Sequence, residues 1–204
     1  MSIIIGLGYK AQSGKDTVAD RIVKKNPFFK KSAFAGNLKK ACQAIFGLSN
    51  EQLWGHDKAR IDPFWGVAPR EIMQRVGTEC LRKNFRDDVW VKSLEHDIVS
   101  DYTRNHVITD VRFPNEAQAV KDWGGITVLV ERNWLSSNPT GNKLDGKALK
   151  HDSETAMDAY DGWDYTIDNN GTLEELFDKI EGMLNWVDGE GHDLVARRTE
   201  NSGG

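Results

Sequence analysis

Gly14-Lys15-Asp16-Thr17 lies between an apolar run, Ile3 to Leu7, and a stretch in which Val18, Ala19, Ile22 and Val23 recur at helical spacing. A glycine-containing loop that ends in Gly-Lys at a helix start is an anion cradle. Successive backbone N–H groups and the positive helix terminus face the anion, and the lysine adds a point charge. The general phosphate-loop pattern G-x-x-x-x-G-K-[ST] fits with two departures. Gly8 comes one position early, because Tyr9 occupies the first glycine's place, and Asp16 follows the lysine, with the hydroxyl displaced to Thr17. Ser13, Gly14, Lys15, Asp16 and Thr17 are therefore the candidates to hold nucleotide phosphates, with Asp16 and Thr17 as candidates beside a Mg²⁺ ion. The plainer role for Asp16 is a first-turn acid favoured by the helix dipole.

Three further groups have chemistry-bearing spacing. Asp110 ends the apolar run from His106 and precedes Arg112, Pro114 and Glu116. In an open parallel sheet, ligands gather beyond the C-terminal ends of the strands. Asp110 is thus placed to order a metal ion, and Arg112 to offer a planar fork to a phosphate. The alternative is a capping Asp with an arginine paired to Glu116. In the run from Pro69 to Glu79, Ile72, Met73 and Val76 mark a buried face, leaving Arg70 and Gln74 together on a neighbouring stripe. Arg70 suits an acceptor phosphate and Gln74 or Thr78 a base edge; a solvated charged face is the alternative. Arg132, Lys143, Lys147, Lys150 and His151 flank or occupy a Ser/Asn/Gly/Lys-rich stretch at 133–150, which suits a lid that brings cations to a transferring phosphoryl group; a disordered segment or a solvated basic loop is the alternative. His151-Asp152-Ser153 are sequence neighbours and not a catalytic triad.

Elements must position these groups. Residues 2–7 read as a buried strand, Lys15 to Lys25 as a helix, and Lys31 to Phe34 as a second strand. A helix carrying Leu38, Cys42 and Ile45 ends at Gly47, and Ser49 to Gln52 opens a brief one with a capping box. Pro69 and Val91 mark two more helices, His106–Thr109 and Ile126–Glu131 two strands, and Pro114 another helix. Asp164–Asp168 is a short final strand, and Thr172 with Glu175 caps a last helix. Strands alternating with helices imply a mainly parallel sheet covered on both faces. The 204 residues suit one α/β domain of ordinary soluble composition, 39% hydrophobic and 28% charged. A net charge of −4 without long like-charge runs argues against an electrostatic nucleic-acid groove. Cys42 and Cys80 lack metal-type spacing, and no apolar run is long enough to span a membrane, so a cytoplasmic, reduced setting is expected.

The sequence resembles bacteriophage deoxynucleoside monophosphate kinases. The resemblance is carried by Gly14-Lys15-Asp16-Thr17, Phe34-Ala35-x-x-Leu38-Lys39, Pro69-Arg70-Glu71 with Gly77-Thr78, and Asp88-Val89-Trp90-Val91. Asp110-Val111-Arg112-Phe113-Pro114-Asn115-Glu116, His151-x-Ser153-Glu154 and Asp168-Asn169-x-Gly171-x-Leu173 continue it in the same order. It implies a P-loop NMP-kinase-like three-layer α/β fold, with a mainly parallel sheet of about five strands, helices on both faces and a lid segment. It also implies transfer of the γ-phosphoryl group of ATP to a deoxynucleoside monophosphate with Mg²⁺, in the cytoplasm of a host cell if the chain is phage-encoded.

On this reading the kinase domain is 1–187, with an acceptor region at about 36–100, a lid at about 132–152 and a disordered tail at 188–204. Lys15, Asp110, Arg112 and Arg132 form the reaction centre, and Asp16, Thr17 and Asp110 are the metal candidates. Arg70, Gln74, Gly77, Thr78, Trp90, Glu116 and His151 are the acceptor contacts. Trp54, Trp65, Phe85 and Trp90 are unranked candidates for a wall against a ribose 2′-OH. The partner is a free nucleotide and not a membrane or a polymer, and the chain is compatible with a homodimer. A P-loop kinase acting on a modified base in DNA, or a nucleotide-binding module without transfer activity, are the competing readings.

Overall fold

A computed structural model describes residues 2–8, 10, 12–133 and 152–201. Its strands are β1 (Ile4–Gly8), β2 (Phe29–Ser32), β3 (Asn105–Val111), β4 (Ile126–Glu131) and β5 (Tyr165–Asp168). Its helices, in chain order, are α1 (Lys15–Lys25), α2 (Gly36–Phe46), α3 (Asn50–Leu53), α4 (Pro69–Gln74), α5 (Val89–Ser100), α6 (Pro114–Asp122), α7 (Asp152–Thr155), α8 (Leu173–Trp186) and α9 (His192–Asn201). The chain forms two units: residues 1–33 with 101–204, and residues 34–100.

In the first unit the described strands form one five-stranded sheet in the order β2-β3-β1-β4-β5, with every pair parallel. Ile4, Ile5 and Leu7 make β1 a continuous apolar run, as a strand covered on both faces requires. The crossover through α1 runs from β1 towards β2, and that through α6 runs from β3 across β1 to β4. Right-handed crossovers in opposite directions put α1 and α6 on opposite faces. Ile5, Val107, Val128 and Ile167 of the sheet pack with Val18 and Ile22 of α1 and Ile180 and Met183 of α8. Adjacent β1 and β3 continue in opposite directions, so a switch-point crevice opens beyond their C-terminal ends. The phosphate loop and the Asp110–Arg112 segment both begin there.

Several elements depart from the sequence expectation. β2 lies two residues before the expected Lys31–Phe34. The helix from Pro69 is α-helical only to Gln74 and continues as a π-helix over Arg75–Arg82. Gly77 and Thr78 are thus inside a widened helix. The chain from 188 to 201 is not the expected disordered tail: a π-helical turn, Val187–Gly191, leads into α9. Arg198 of α9 pairs through both guanidinium Nη atoms with Asp164, whose side chain is 4% exposed. The stretch expected as a lid lies outside the described residues apart from its ends.

The second unit packs Leu38 and Cys42 of α2, Leu53 of α3, Ile72 of α4 and Trp90 and Leu94 of α5 out of solvent. Ser49 caps α3 as expected: its Oγ accepts from Gln52 N, and Gln52 Oε1 accepts from Ser49 N. Asn37 Nδ2 of α2 donates to Ser93 Oγ of α5 at 2.7 Å.

Candidate functional site

β1 delivers the chain to the phosphate loop at Gly8, and α1 takes it away at Lys15. Gly14, the N-cap of α1, is left-handed at φ 103°, a conformation that favours glycine. Gln12 is also left-handed, at φ 64°, uncommon for a residue with a Cβ. Ser13 and Lys15 are 1% and 6% exposed, although both are polar. Lys15 Nζ is turned back into the loop, donating to Lys10 O at 2.5 Å and Ser13 Oγ at 3.2 Å. A cation held on carbonyl and hydroxyl oxygens beside a helix N-terminus is positioned to exchange those oxygens for phosphate oxygens.

Asp16 and Thr17 follow on exposed positions of the first turn. Asp16 is 3.6 Å from Lys31 Nζ, which also pairs with Asp20 at 2.9 Å. Asp16 is therefore at once a first-turn acid and a solvent-facing carboxylate.

Asp110 owes its position to an irregularity. Between the pairs Gly6↔Ile108 and Gly8↔Val111, Thr109 and Asp110 on β3 stand against Leu7 alone on β1. An extra residue of this kind re-aims side chains at a strand's end. Ile108 and Val111 both stay fully buried, while Thr109 and Asp110 are half-buried at the crevice. Glu116, 3% exposed in the first turn of α6, accepts from Arg112 N at 2.8 Å and Phe113 N at 3.2 Å through Oε2. It thereby fixes the backbone from which Arg112 projects. Arg132 is exposed just beyond β4, and His151, Lys143, Lys147 and Lys150 lie outside the described residues.

The glycine at residue 8 has a steric reason. A Cβ at Gly8 would fall 1.9 Å from the Trp163 ring, so the indole fills the space at the root of the loop. Trp163 meets Tyr160 edge-on at 5.2 Å, and nearby Asp158 pairs with Lys10 at 3.1 Å. On the other flank of the loop, Asn169 is 7% exposed and donates Nδ2 to Ser13 O at 2.8 Å. Sequence reasoning missed both residues. Asn169 sits in a motif whose role was unread, and Trp163 carries no local signal.

In the second unit, Arg70 and Gln74 are half-buried one turn apart on α4, and Thr78 is buried. Gly77 faces Leu38, whose Cδ2 would be 2.6 Å from an added Cβ, and its carbonyl accepts from the Trp90 indole at 3.0 Å. Trp90 is 8% exposed, whereas Trp54, Trp65 and Phe85 are exposed. π-Helical segments are rare and recur at functional sites. Arg82, the last residue of this one, is buried and pairs with Asp87 at 3.0 Å.

Among the described residues there is no cluster of three or more His, Cys, Asp or Glu that would hold a metal ion, and no helix long and apolar enough to cross a membrane. The metal candidates Asp16, Thr17 and Asp110 offer hard oxygen donors. That suits Mg²⁺, which takes one or two carboxylates and completes its shell with water and substrate phosphates.

Residues 56–180 match a family model described as deoxynucleotide monophosphate kinase, a span that includes Arg70, Asp110, Arg112 and Asn169. A putative deoxynucleotide monophosphate kinase of Acanthamoeba polyphaga mimivirus is 33% identical over 194 residues, covering 87% of this chain and 94% of that protein. The deoxynucleotide monophosphate kinase of Enterobacteria phage T4 is 32% identical over 127 residues, covering 61% of this chain and 47% of that protein. The deoxynucleoside-5'-monophosphate kinase of Escherichia phage T5 is 28% identical over 118 residues, again covering 47% of its own length.

Proposed function

The chain belongs to the deoxynucleotide monophosphate kinase family, and on that premise we propose that it transfers the γ-phosphoryl group of ATP to a deoxynucleoside 5′-monophosphate. The observation that carries the reading is the buried Lys15 ammonium, held on oxygens of its own loop next to a left-handed Gly14 at a helix N-terminus. A phosphate oxygen of the acceptor attacks the γ-phosphorus. The bond from that phosphorus to the β–γ bridging oxygen breaks, and ADP leaves with the electron pair. The attacking oxygen is already anionic at neutral pH, so no strong protein base is required. Positioning and charge neutralisation supply the catalysis.

Lys15 leaves Lys10 O and Ser13 Oγ to meet the β- and γ-phosphates, while the backbone N–H groups of Gly14 to Thr17 hold the donor. Arg112, on a backbone pinned by Glu116, meets the charge that accumulates on the transferring group, and Arg132 adds a second cation. Asp16, Thr17 and Asp110 would hold Mg²⁺, which supplies further charge neutralisation. Arg70 binds the acceptor's monophosphate, and Gln74 and Thr78 face its base. Trp90 and Gly77 support these residues through the indole bond. His151 completes the acceptor contacts. The protein works on free nucleotides in a cytoplasm.

ADP release measured across ribo- and deoxynucleoside monophosphates, including modified pyrimidines, tests this directly. Release is expected with at least one free deoxynucleotide, and Lys15→Ala lowers kcat by a factor on the order of 10² or more. Labelled phosphate appearing in DNA and not in free nucleotide, or near-normal turnover in the Lys15→Ala variant, overturns the mechanism.

A further inference from the structure

Asn169 belongs to a sequence motif that the reaction leaves without a task, yet it is buried and aimed at the phosphate loop. We propose that Asn169 is a positioning residue: by holding the Ser13 carbonyl it orients the Gly14 N–H towards the donor phosphates. This rests on the reading of the loop as the donor-phosphate site.

Three observations place it. The Asn169 backbone N–H donates to Glu131 O at 2.7 Å, which fastens the end of β5 to β4. From that fixed point Nδ2 donates to Ser13 O at 2.8 Å. At Gly14, an added Cβ would lie 2.3 Å from the same Nδ2, so the glycine makes room for the amide as well as supplying the left-handed φ. In a planar trans peptide the C=O and N–H point in opposite directions. Drawing Ser13 O towards Asn169 therefore turns the Gly14 N–H away from it, into the concave side of the loop. Ser13 Oγ and Lys10 O meanwhile hold Lys15. Without the amide, the Ser13–Gly14 peptide is free to rotate, and a donor N–H is lost from the cradle before any nucleotide arrives.

The test uses the full chain with Asn169→Ala and Asn169→Asp, measuring kcat, the KM for ATP, the KM for the acceptor nucleotide and thermal unfolding. Asn169→Ala is expected to raise the ATP KM about tenfold, the scale of one buried hydrogen bond, with the acceptor KM changed less than twofold. Asn169→Asp keeps the shape but sets a carboxylate against a carbonyl, so its ATP KM rises further. That KM then falls as pH is lowered and the introduced carboxyl becomes a donor. An ATP KM within twofold of wild type in both variants overturns the proposal. Equal rises in both KM values together with a lowered melting temperature also overturn it, by showing a general packing role. If wild type itself fails to bind ATP, the donor-site reading falls and the proposal with it.

Discussion

At residue 8 a side chain as small as a methyl group would have to enter the ring of Trp163, because the Cβ position lies 1.9 Å from one ring carbon and 2.5 Å from the next. A glycine at this position is therefore required by an aromatic residue far away in sequence, through packing at the root of the loop. Gly8→Ala should destabilise the protein by about 1–3 kcal/mol through overpacking. In a Trp163→Leu background the same change should cost less than half as much. Urea unfolding of the four proteins in this double-mutant cycle is the check, and equal costs in both backgrounds would remove Trp163 as the cause. Lys15, Asp16 and Arg112 can be named as candidates from the sequence because the chemistry they suggest is local to a motif. Trp163 and Asn169 cannot, because each acts across a sheet whose strand order is not written in any short segment.

Among elements, those with local signals were read accurately. The capping boxes of α3 and α8 and the glycine that closes α2 are decided within four residues. The π-helix at Arg75–Arg82 carries no such local signal; within it Gly77 lies against Leu38 and its carbonyl accepts from the Trp90 indole. β3 has a comparable hidden feature in His106, which is fully buried near the start of the strand. Its Nδ1 lies 3.0 Å from Ser32 Oγ of β2 and its Nε2 3.4 Å from Asp101 O, contacts that fit a neutral ring. Burial holds its pKa below the ordinary 6.5; the neighbouring Lys30 and Arg104 charges add to this, and Asp101 opposes it. The unfolded chain therefore takes up a proton near pH 6.5 that the folded chain refuses. Stability is full above pH 6.5 and falls as pH drops towards the folded pKa, by at most about 1.4 kcal/mol per pH unit. Denaturant midpoints between pH 7.5 and 5 should show this slope in wild type and lose it in His106→Gln. A slope that survives the substitution assigns the pH dependence to other groups.

For the molecule as a whole, the question is where the first unit ends. Composition placed the boundary at 187, because the segment beyond it is polar and glycine-rich. The family match stops at residue 180, so nothing in it bears on α9. Two contacts place α9 inside the unit, Val195 beside Gly124 and Arg198 on Asp164, and Gly191 in the turn before it lies against Ile126 and Trp186. Asp164 in turn accepts from Thr127 N at 2.8 Å and Thr127 Oγ1 at 3.0 Å, and lies 3.5 Å from Lys121 Nζ. Burial raises its pKa, but the Arg198 and Thr127 hydrogen bonds and the Lys121 charge outweigh that and hold it below the ordinary carboxylate range. One carboxylate thus joins the starts of β4 and β5 to α6 and to α9. Arg198→Ala removes a charged hydrogen-bonding partner from a buried acceptor, which costs about 1.5–3 kcal/mol and lowers the melting temperature by about 3–12 °C. Because the folded pKa of Asp164 is depressed, this stabilisation is complete above the unfolded carboxylate pKa and is lost as pH falls below it. The wild-type advantage over Arg198→Ala should therefore shrink as pH falls below about 4. Calorimetry of wild type, Arg198→Ala and a chain shortened to 187 residues reads all three. A shortened chain that melts with wild type would restore the boundary at 187, since α9 would then contribute nothing to the unit.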